Sequence, residues 1–199
     1  MPELAGEWCL PPVPPYKTRS REAKTNLKIQ TKDLTIIGVY AALYAALVVV
    51  LGGFSYGPIQ VRVADSLVAV VPLIGLPGVL GHTLGVFIAN MFSTAGLIDL
   101  LNTIPSFVMS FVVYYVYKRT QNDYSVIGTC IAYSIVLGIT VGWMLSYVFS
   151  LPLLPTMAYV AVGNTVASVL IGWPLFKVLK RTGVFQKWGA SQKNQEGMV

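Results

Sequence analysis

The stretch Leu34-Thr-Ile-Ile-Gly-Val-Tyr-Ala-Ala-Leu-Tyr-Ala-Ala-Leu-Val-Val-Val-Leu51 decides the fold class, because it contains no charged residue over its whole length. An apolar run of about 20 residues is long enough to cross a bilayer as a helix. Charged residues make up 11% of the chain and apolar residues 55%, whereas soluble domains carry about 25% charged residues. The mean hydropathy is +0.66. The sequence therefore predicts an all-α integral membrane protein.

Outward from this run, the apolar pattern predicts six transmembrane helices. Their approximate bounds are 34–51, 60–74, 77–92, 97–117, 126–149 and 156–179. The second and third helices are short and are joined by Pro72-Leu-Ile-Gly-Leu-Pro77. We therefore expect them to form either a tightly connected pair or partial spans.

The positions of Lys and Arg predict the orientation in the membrane, because cytoplasmic flanks are enriched in these residues. Of the 14 Lys and Arg residues, all but Arg62 lie in the N-terminal tail, after the fourth helix or at the C-terminal end. With six helices, both termini are then cytoplasmic in a multi-pass plasma-membrane protein. The net charge of +6 is thereby assigned to topology rather than to nucleic-acid binding. We expect a Pro-rich, basic tail at 1–33, a membrane domain at 34–180 and a second tail at 181–199.

The stretch after the first helix is Gly52-Gly-Phe-Ser-Tyr-Gly-Pro-Ile-Gln-Val-Arg-Val-Ala-Asp65. It places Arg62 and Asp65 at the predicted outer side. An ionisable residue at membrane depth is costly and indicates a functional site. The alternative is that the two side chains, three residues apart on a helix, only neutralise each other.

Other polar residues fall on the same predicted side, so the sequence predicts an outward-facing binding pocket. Alternative roles remain open: a helix N-cap for Asp99, interfacial-belt positions for the aromatic residues, and interhelical hydrogen bonds for the asparagines. Only His82 falls toward the cytoplasmic half, where a structural role is expected. The candidate binding residues are Gln60, Arg62, Asp65, Asn90, Asp99, Trp143, Tyr147, Tyr159 and Asn164.

The first helix carries two overlapping pairs of small residues, Ala41/Ala45 and Ala42/Ala46. This spacing lets another helix approach closely. The pairs Gly81/Gly85 and Gly138/Gly142 repeat it. Intramolecular helix packing and docking of a partner are both compatible with these stripes.

Motifs for enzyme chemistry are missing from the sequence. It contains no Gly-rich loop ending in Gly-Lys-Ser/Thr, no His-Glu-x-x-His and no Gly-x-Ser-x-Gly. Cys9 and Cys130 lack the spacing of a zinc site. We therefore expect no enzyme activity, no metal site and no cofactor, so active transport would need an ion gradient or another subunit.

Gly57-Pro-Ile-Gln-Val-Arg62, running into Asp65, resembles the signature of the QueT family of queuosine-precursor transporters. The resemblance covers about 35–180. Two positions depart from the family pattern: Asp65 after Ala64 stands for Glu after Ser, and Asn164 lies where Glu is common. Both changes lie in the predicted pocket, so the ligand is either the usual base of the family or a related one. Further similar motifs are Ile88-Ala-Asn-Met-Phe-Ser93, Gly96-Leu-Ile-Asp99, Leu151-Pro-Leu-Leu-Pro155 and Gly172-Trp-Pro-Leu175.

The resemblance implies a substrate-binding (S) component of an energy-coupling factor (ECF) transporter, with six helices. Such a component would capture a 7-deazaguanine-like base from outside and would associate with a membrane coupling subunit and two cytoplasmic ATPases, which use the ATP. It implies that the alanine stripe on the first helix, Ala41/Ala45 with Ala42/Ala46, docks the coupling subunit. The turn before Arg62 is a candidate lid, with Gly52, Gly53, Gly57 and Pro58 as its hinge.

Two other functions remain open on the sequence. A stand-alone secondary transporter would use Asp65 or Asp99 as a proton or cation site. A non-transporting membrane scaffold would use its Gly and Ala stripes to assemble partners, and no ligand would stabilise it.

Overall fold

The computed structural model describes residues 31–56 and 62–183, and every regular element within these ranges is helical. The helices follow the order predicted from the sequence, so the prediction of a six-helix all-α membrane protein is confirmed. A single helical turn, Gly52–Ser55, follows the first helix. The six helices are α1 (Thr31–Val50), α2 (Val63–Ile74), α3 (Leu76–Asn90), α4 (Gly96–Thr120), α5 (Asp123–Phe149) and α6 (Leu153–Thr182).

The helices differ in length as the sequence predicted. Helices α1, α4, α5 and α6 have 20 to 30 residues and are apolar enough to cross a membrane. Helix α3 has 15 residues, which at about 1.5 Å per residue is shorter than a hydrocarbon core of about 30 Å. Between α2 and α3 lies Gly75 with a φ of 87°, a conformation that favours glycine. The two short helices thus form a tightly connected pair.

Helix α2 is the centre of the packing. Its residues 64–72 are all buried, including the polar Asp65 and Ser66, so this helix is enclosed by the others. The surrounding helices instead expose large apolar side chains, including Val50, Leu97 and Leu154. Such a surface is suited to contact with lipid.

Glycines bring pairs of helices into close contact. A Cβ added at Gly85 on α3 would lie 2.7 Å from the Cβ of Tyr44 on α1. One added at Gly138 on α5 would lie 2.5 Å from the Cβ of Ala161 on α6. Real Cβ atoms do not approach so closely, so these positions require glycine. The two glycine stripes therefore serve packing within the chain.

Helix α6 changes its winding where it passes α2. Residues Ala167–Ile171 form a π-helical segment between two α-helical ones. Such π segments are frequent at functional sites. At Gly172, an added Cβ would lie 2.6 Å from the backbone oxygen of Ser66, so α6 packs directly against α2. Asn164 lies one turn before the segment and faces the beginning of α2.

Candidate functional site

A buried ion pair joins α2 to α4. Arg62 immediately precedes α2 and has an extended backbone, and Asp99 lies in the first turn of α4. The Arg62 Nη2 atom lies 3.0 Å from Asp99 Oδ2, and the two side chains are 3% and 1% exposed. A buried ion pair needs further hydrogen bonds to offset desolvation. The neighbouring helices provide them.

Both oxygens of the Asp99 carboxylate have partners. Oδ2 faces Arg62, and Oδ1 accepts a hydrogen bond from Asn102 Nδ2 at 2.8 Å. The Asn90 side chain, at the end of α3, donates to the Asp99 backbone oxygen at 2.9 Å. Asn164 Oδ1 on α6 accepts from the Arg62 backbone N–H at 3.4 Å. Four helices therefore meet at this ion pair.

The second carboxylate, Asp65, is held by tyrosines rather than by a cation. The hydroxyl groups of Tyr44 on α1 and Tyr133 on α5 both donate to Oδ1, at 2.6 Å and 3.3 Å. His82 Nε2 lies 3.2 Å from the Tyr133 hydroxyl oxygen. The His82 ring also contacts Tyr44 edge-on, with centroids 5.0 Å apart. All four side chains are buried.

Several buried polar atoms of this cluster have no hydrogen-bond partner among the described residues. Three belong to predicted binding residues: Arg62 Nε, Asp65 Oδ2 and Asn90 Oδ1. His82 Nδ1, whose ring is linked to Asp65 through Tyr133, is a fourth. An unpaired buried polar group costs about 1–3 kcal/mol, and more when it is charged. Unpaired atoms gathered at one place are typical of a site that a polar ligand completes.

The structure thus brings together five of the nine predicted binding residues. Arg62, Asp65, Asn90, Asp99 and Asn164 lie in or beside one cluster, and each is at most 3% exposed. Gln60 lies outside the described residues.

The predicted aromatic residues lie elsewhere. Trp143, Tyr147 and Tyr159 are 58%, 75% and 56% exposed on the outer surface of α5 and α6. The rings of Trp143 and Tyr147 stack on each other, with centroids 6.4 Å apart. Their exposure matches the interfacial-belt alternative more closely than a ligand contact.

The turn between α1 and α2 is described only in part. Gly52 and Gly53 lie in the single helical turn, whereas Gly57 and Pro58 lie outside the described residues. Tyr56, at the end of the described part, donates from its hydroxyl to the Ala89 backbone oxygen at 2.6 Å. This hydrogen bond fixes the beginning of the turn against α3.

The two alanine pairs of α1 differ in exposure. Ala41 and Ala45 are buried within the helix bundle, 2% and 8% exposed. Ala42 and Ala46 are exposed. Gly38, one turn earlier, is also exposed and has no neighbouring atom within 4 Å of an added Cβ. Only the stripe Gly38, Ala42 and Ala46 is therefore accessible to a partner.

Sequence reasoning missed three residues of the cluster as site residues: Tyr44, Tyr133 and Asn102. Each is a hydrogen-bonding side chain inside or at the end of an apolar helix, which is a weak signal because tyrosine is common in membrane helices. His82, expected to be separate from the carboxylates, is linked to Asp65 through the Tyr133 hydroxyl. Among the described residues, no group of His, Cys, Asp or Glu has the arrangement of a metal site.

Comparison with known proteins identifies the family. Searches of curated proteins and of solved structures found no match. The family described as QueT transporter matches residues 34–181, a range that includes the polar cluster and all six helices except the first three residues of α1 and the last residue of α6. The match confirms that the chain is a transporter rather than an enzyme. Since the matched region covers well over half of the sequence, the chain belongs to the QueT transporter family.

Proposed function

We propose that this transporter is the substrate-capture component of an ECF-type importer and that it binds a queuosine precursor, a 7-deazaguanine-like base, from outside the cell. The buried polar cluster is the observation that carries this proposal. It combines a fixed ion pair, Arg62–Asp99, with unpaired donor and acceptor atoms in an apolar surrounding. A few orienting polar groups in an apolar site are typical of small-molecule binding.

The unpaired atoms match the hydrogen-bonding groups of a guanine-like edge. Asp65 Oδ2 and Asn90 Oδ1 are acceptors for ring N–H and amino groups, and Arg62 Nε is a donor for a carbonyl or ring acceptor. Both Asp99 oxygens are already engaged, as is Asp65 Oδ1. Asp65 would therefore contact the base through one oxygen rather than in the bidentate manner that a free carboxylate would allow.

Charge distribution supports an orientation with both termini in the cytoplasm. The basic residues of the described part, apart from Arg62, cluster at the beginning of α1, at the end of α4 and at the end of α6. By the positive-inside rule these ends face the cytoplasm. The beginnings of α2 and α4, and with them Arg62 and Asp99, would then open toward the outside.

The exposed stripe Gly38, Ala42 and Ala46 supports docking of a membrane coupling subunit, which would work with two cytoplasmic ATPase subunits. Small residues four apart on an exposed helix face allow close approach of another helix. The buried pair Ala41 and Ala45 would not contact the partner, because both side chains are already enclosed by the rest of the chain.

Substrate binding is tested by isothermal titration of the purified chain with 7-deazaguanine bases. Arg62→Ala and Asp65→Ala should each weaken binding about 10- to 150-fold, because a hydrogen bond to a charged group contributes about 1.5–3 kcal/mol. Asp123→Asn is the matched control, since Asp123 pairs with Lys180 away from the cluster. Parental affinity in both Ala variants would show that the site lies elsewhere.

Docking is tested by cellular uptake together with binding. Ala42→Trp and Ala46→Trp should abolish uptake and leave binding by the purified chain unchanged, because a bulky side chain would separate the two helices. Ile135→Trp, at a half-exposed position on α5, controls for a large residue facing lipid. Full uptake in both alanine variants would argue against docking through this stripe.

One observation favours the alternative of a stand-alone secondary transporter. His82, Tyr133 and Asp65 form a continuous chain of hydrogen-bonding groups inside the helix bundle. Such chains are typical of proton pathways in transporters. Uptake into proteoliposomes that contain only this chain, driven by a pH step, would support this alternative over the ATP-driven importer.

A further inference from the structure

The buried cluster contains unequal numbers of positive and negative groups. Among the described residues it holds one cation, Arg62, and two carboxylates, Asp65 and Asp99. Residues 57–61, which precede Arg62, include no ionisable side chain in the sequence. Helix α6 contributes only the amide of Asn164. With both carboxylates ionised, the cluster has a net charge of minus one.

The single cation is committed to Asp99. Arg62 Nη2 lies 3.0 Å from Asp99 Oδ2. Asp65 receives only neutral phenol donors, from Tyr44 and Tyr133, and both bind the same oxygen, Oδ1. The Asp65 residue is 1% exposed, and its Oδ2 atom has no hydrogen-bond partner among the described residues. The phenols hold the carboxylate in place but do not neutralise it.

The other groups around Asp65 do not supply a second cation. Helix α1 presents Tyr40 and Tyr44, of which Tyr40 donates to the Leu67 backbone oxygen at 2.7 Å. Helix α3 presents His82, which reaches Asp65 only through Tyr133. For Tyr133 to donate to Asp65, its oxygen accepts from His82 Nε2–H. A neutral imidazole provides this donor, whereas a cationic one would bury an Nδ1–H without an acceptor.

Leaving a carboxylate uncompensated in this position is unfavourable. Removal of an ion from water into the protein interior costs several kcal/mol unless an opposite charge is close. Asp65 lies in the first turn of α2, whose N-terminal end is equivalent to only about half a positive charge. The remaining charge has to be balanced when water is excluded from the site.

We propose that the occupied site takes up one positive charge against the free oxygen of Asp65, carried by a protonated amine of the substrate or by a proton bound together with a neutral substrate. This inference rests on the proposed function of the cluster as a site for 7-deazaguanine bases. It adds that the site selects for charge: for the cationic base, Asp65 Oδ2 pairs with the amine, and Asn90 Oδ1 remains as the acceptor for the hydrogen-bonding edge.

The test uses two probes that share the same base and differ in charge. 7-Aminomethyl-7-deazaguanine is a cation at neutral pH, and 7-cyano-7-deazaguanine is neutral. Each is titrated into the full chain by calorimetry in buffers of different ionisation enthalpy, which gives the number of protons bound. We expect the cationic base to bind about 30-fold more tightly, or the neutral base to bind with uptake of about one proton, since an unmatched buried charge costs about 2 kcal/mol or more.

Asp65→Asn should abolish the charge preference and the proton uptake, because the amide keeps the shape and carries no charge. Asp123→Asn, which removes a carboxylate outside the cluster, should leave both intact. Equal affinity for the two bases without proton uptake would overturn the inference and leave the proposed function standing. Binding of neither base would overturn both. If the Asp65 variant does not fold, the comparison of the two bases on the parent chain decides alone.

Discussion

Removal of the Arg62 charge tests the energetics of the buried ion pair. Arg62→Met eliminates the cation that lies 3.0 Å from Asp99. At this distance and an effective dielectric constant of about 20, the Coulomb attraction is about 5–6 kcal/mol. Desolvation of the two ions offsets most of that attraction, so the intact pair contributes little net stability. Loss of one partner, however, leaves a buried charge uncompensated and costs about 3–5 kcal/mol.

The measurement is the thermal unfolding of purified Arg62→Met, Asp99→Asn and the double variant without substrate. We expect each single variant to lower the Tm by about 6–20 °C. The loss of stability in the double variant should be smaller than the sum of the two single losses by about 2 kcal/mol or more, because neither charge is then left buried without its partner. Asp123→Asn serves as the control, because Asp123 and Lys180 are each 32% exposed and such pairs contribute at most about 1 kcal/mol.

Two results would refute this reasoning. A loss of less than about 1 kcal/mol in Arg62→Met would show that Asp99 does not depend on the cation. Additive losses in the double variant would show that the two side chains are not coupled.

Three further predictions concern packing and the Asp65 environment, each measured by thermal unfolding without substrate. Gly138→Ala should lower the free energy of unfolding by about 1–3 kcal/mol, because the added Cβ would clash with α6. Gly128→Ala, where no atom lies within 4 Å of the added Cβ, should raise it by up to about 1 kcal/mol. Equal effects of the two substitutions would contradict close packing of α5 against α6. Tyr44→Phe should lower the free energy of unfolding by about 1.5–3 kcal/mol and Tyr40→Phe by about 0.5–1.5 kcal/mol, because only Tyr44 donates a hydrogen bond to a carboxylate. A larger loss in Tyr40→Phe than in Tyr44→Phe would exclude an ionised Asp65. Asp65→Asn should leave the Tm unchanged or raise it, because an uncompensated charge is removed; a large decrease would show that the charge is already balanced.

The sequence was sufficient to predict the helices, because a membrane helix is recognised from the composition of a continuous stretch of chain. Long apolar runs, the break near Gly75 and the clustering of Lys and Arg are all local features. The alternation of helices and turns followed from them, including the two short helices. The resemblance to the QueT family rested on motifs such as 57–62 and was confirmed by the family match over residues 34–181.

The faces of the helices could not be predicted in the same way. In a membrane protein the lipid-facing and the protein-facing sides of a helix are both apolar, so periodicity does not separate them. Trp143 and Tyr159 therefore looked equivalent to Asn90 on the sequence, although the structure exposes the first two and buries the third. The same ambiguity joined Ala41/Ala45, which are buried, with Ala42/Ala46, which are exposed.

The sequence by itself determined that this chain is a six-helix membrane protein with two charged residues at the beginning of its second helix, because hydropathy and charge are properties of single residues. Tertiary structure decided which groups those charges meet: Arg62 pairs with Asp99, while Asp65 is held by Tyr44 and Tyr133. These partners lie 21 to 68 residues apart in sequence, and only the rotation of each helix about its axis brings them together. That rotation is fixed by close contacts between helices, such as that of Gly85 with Tyr44, which no local pattern records.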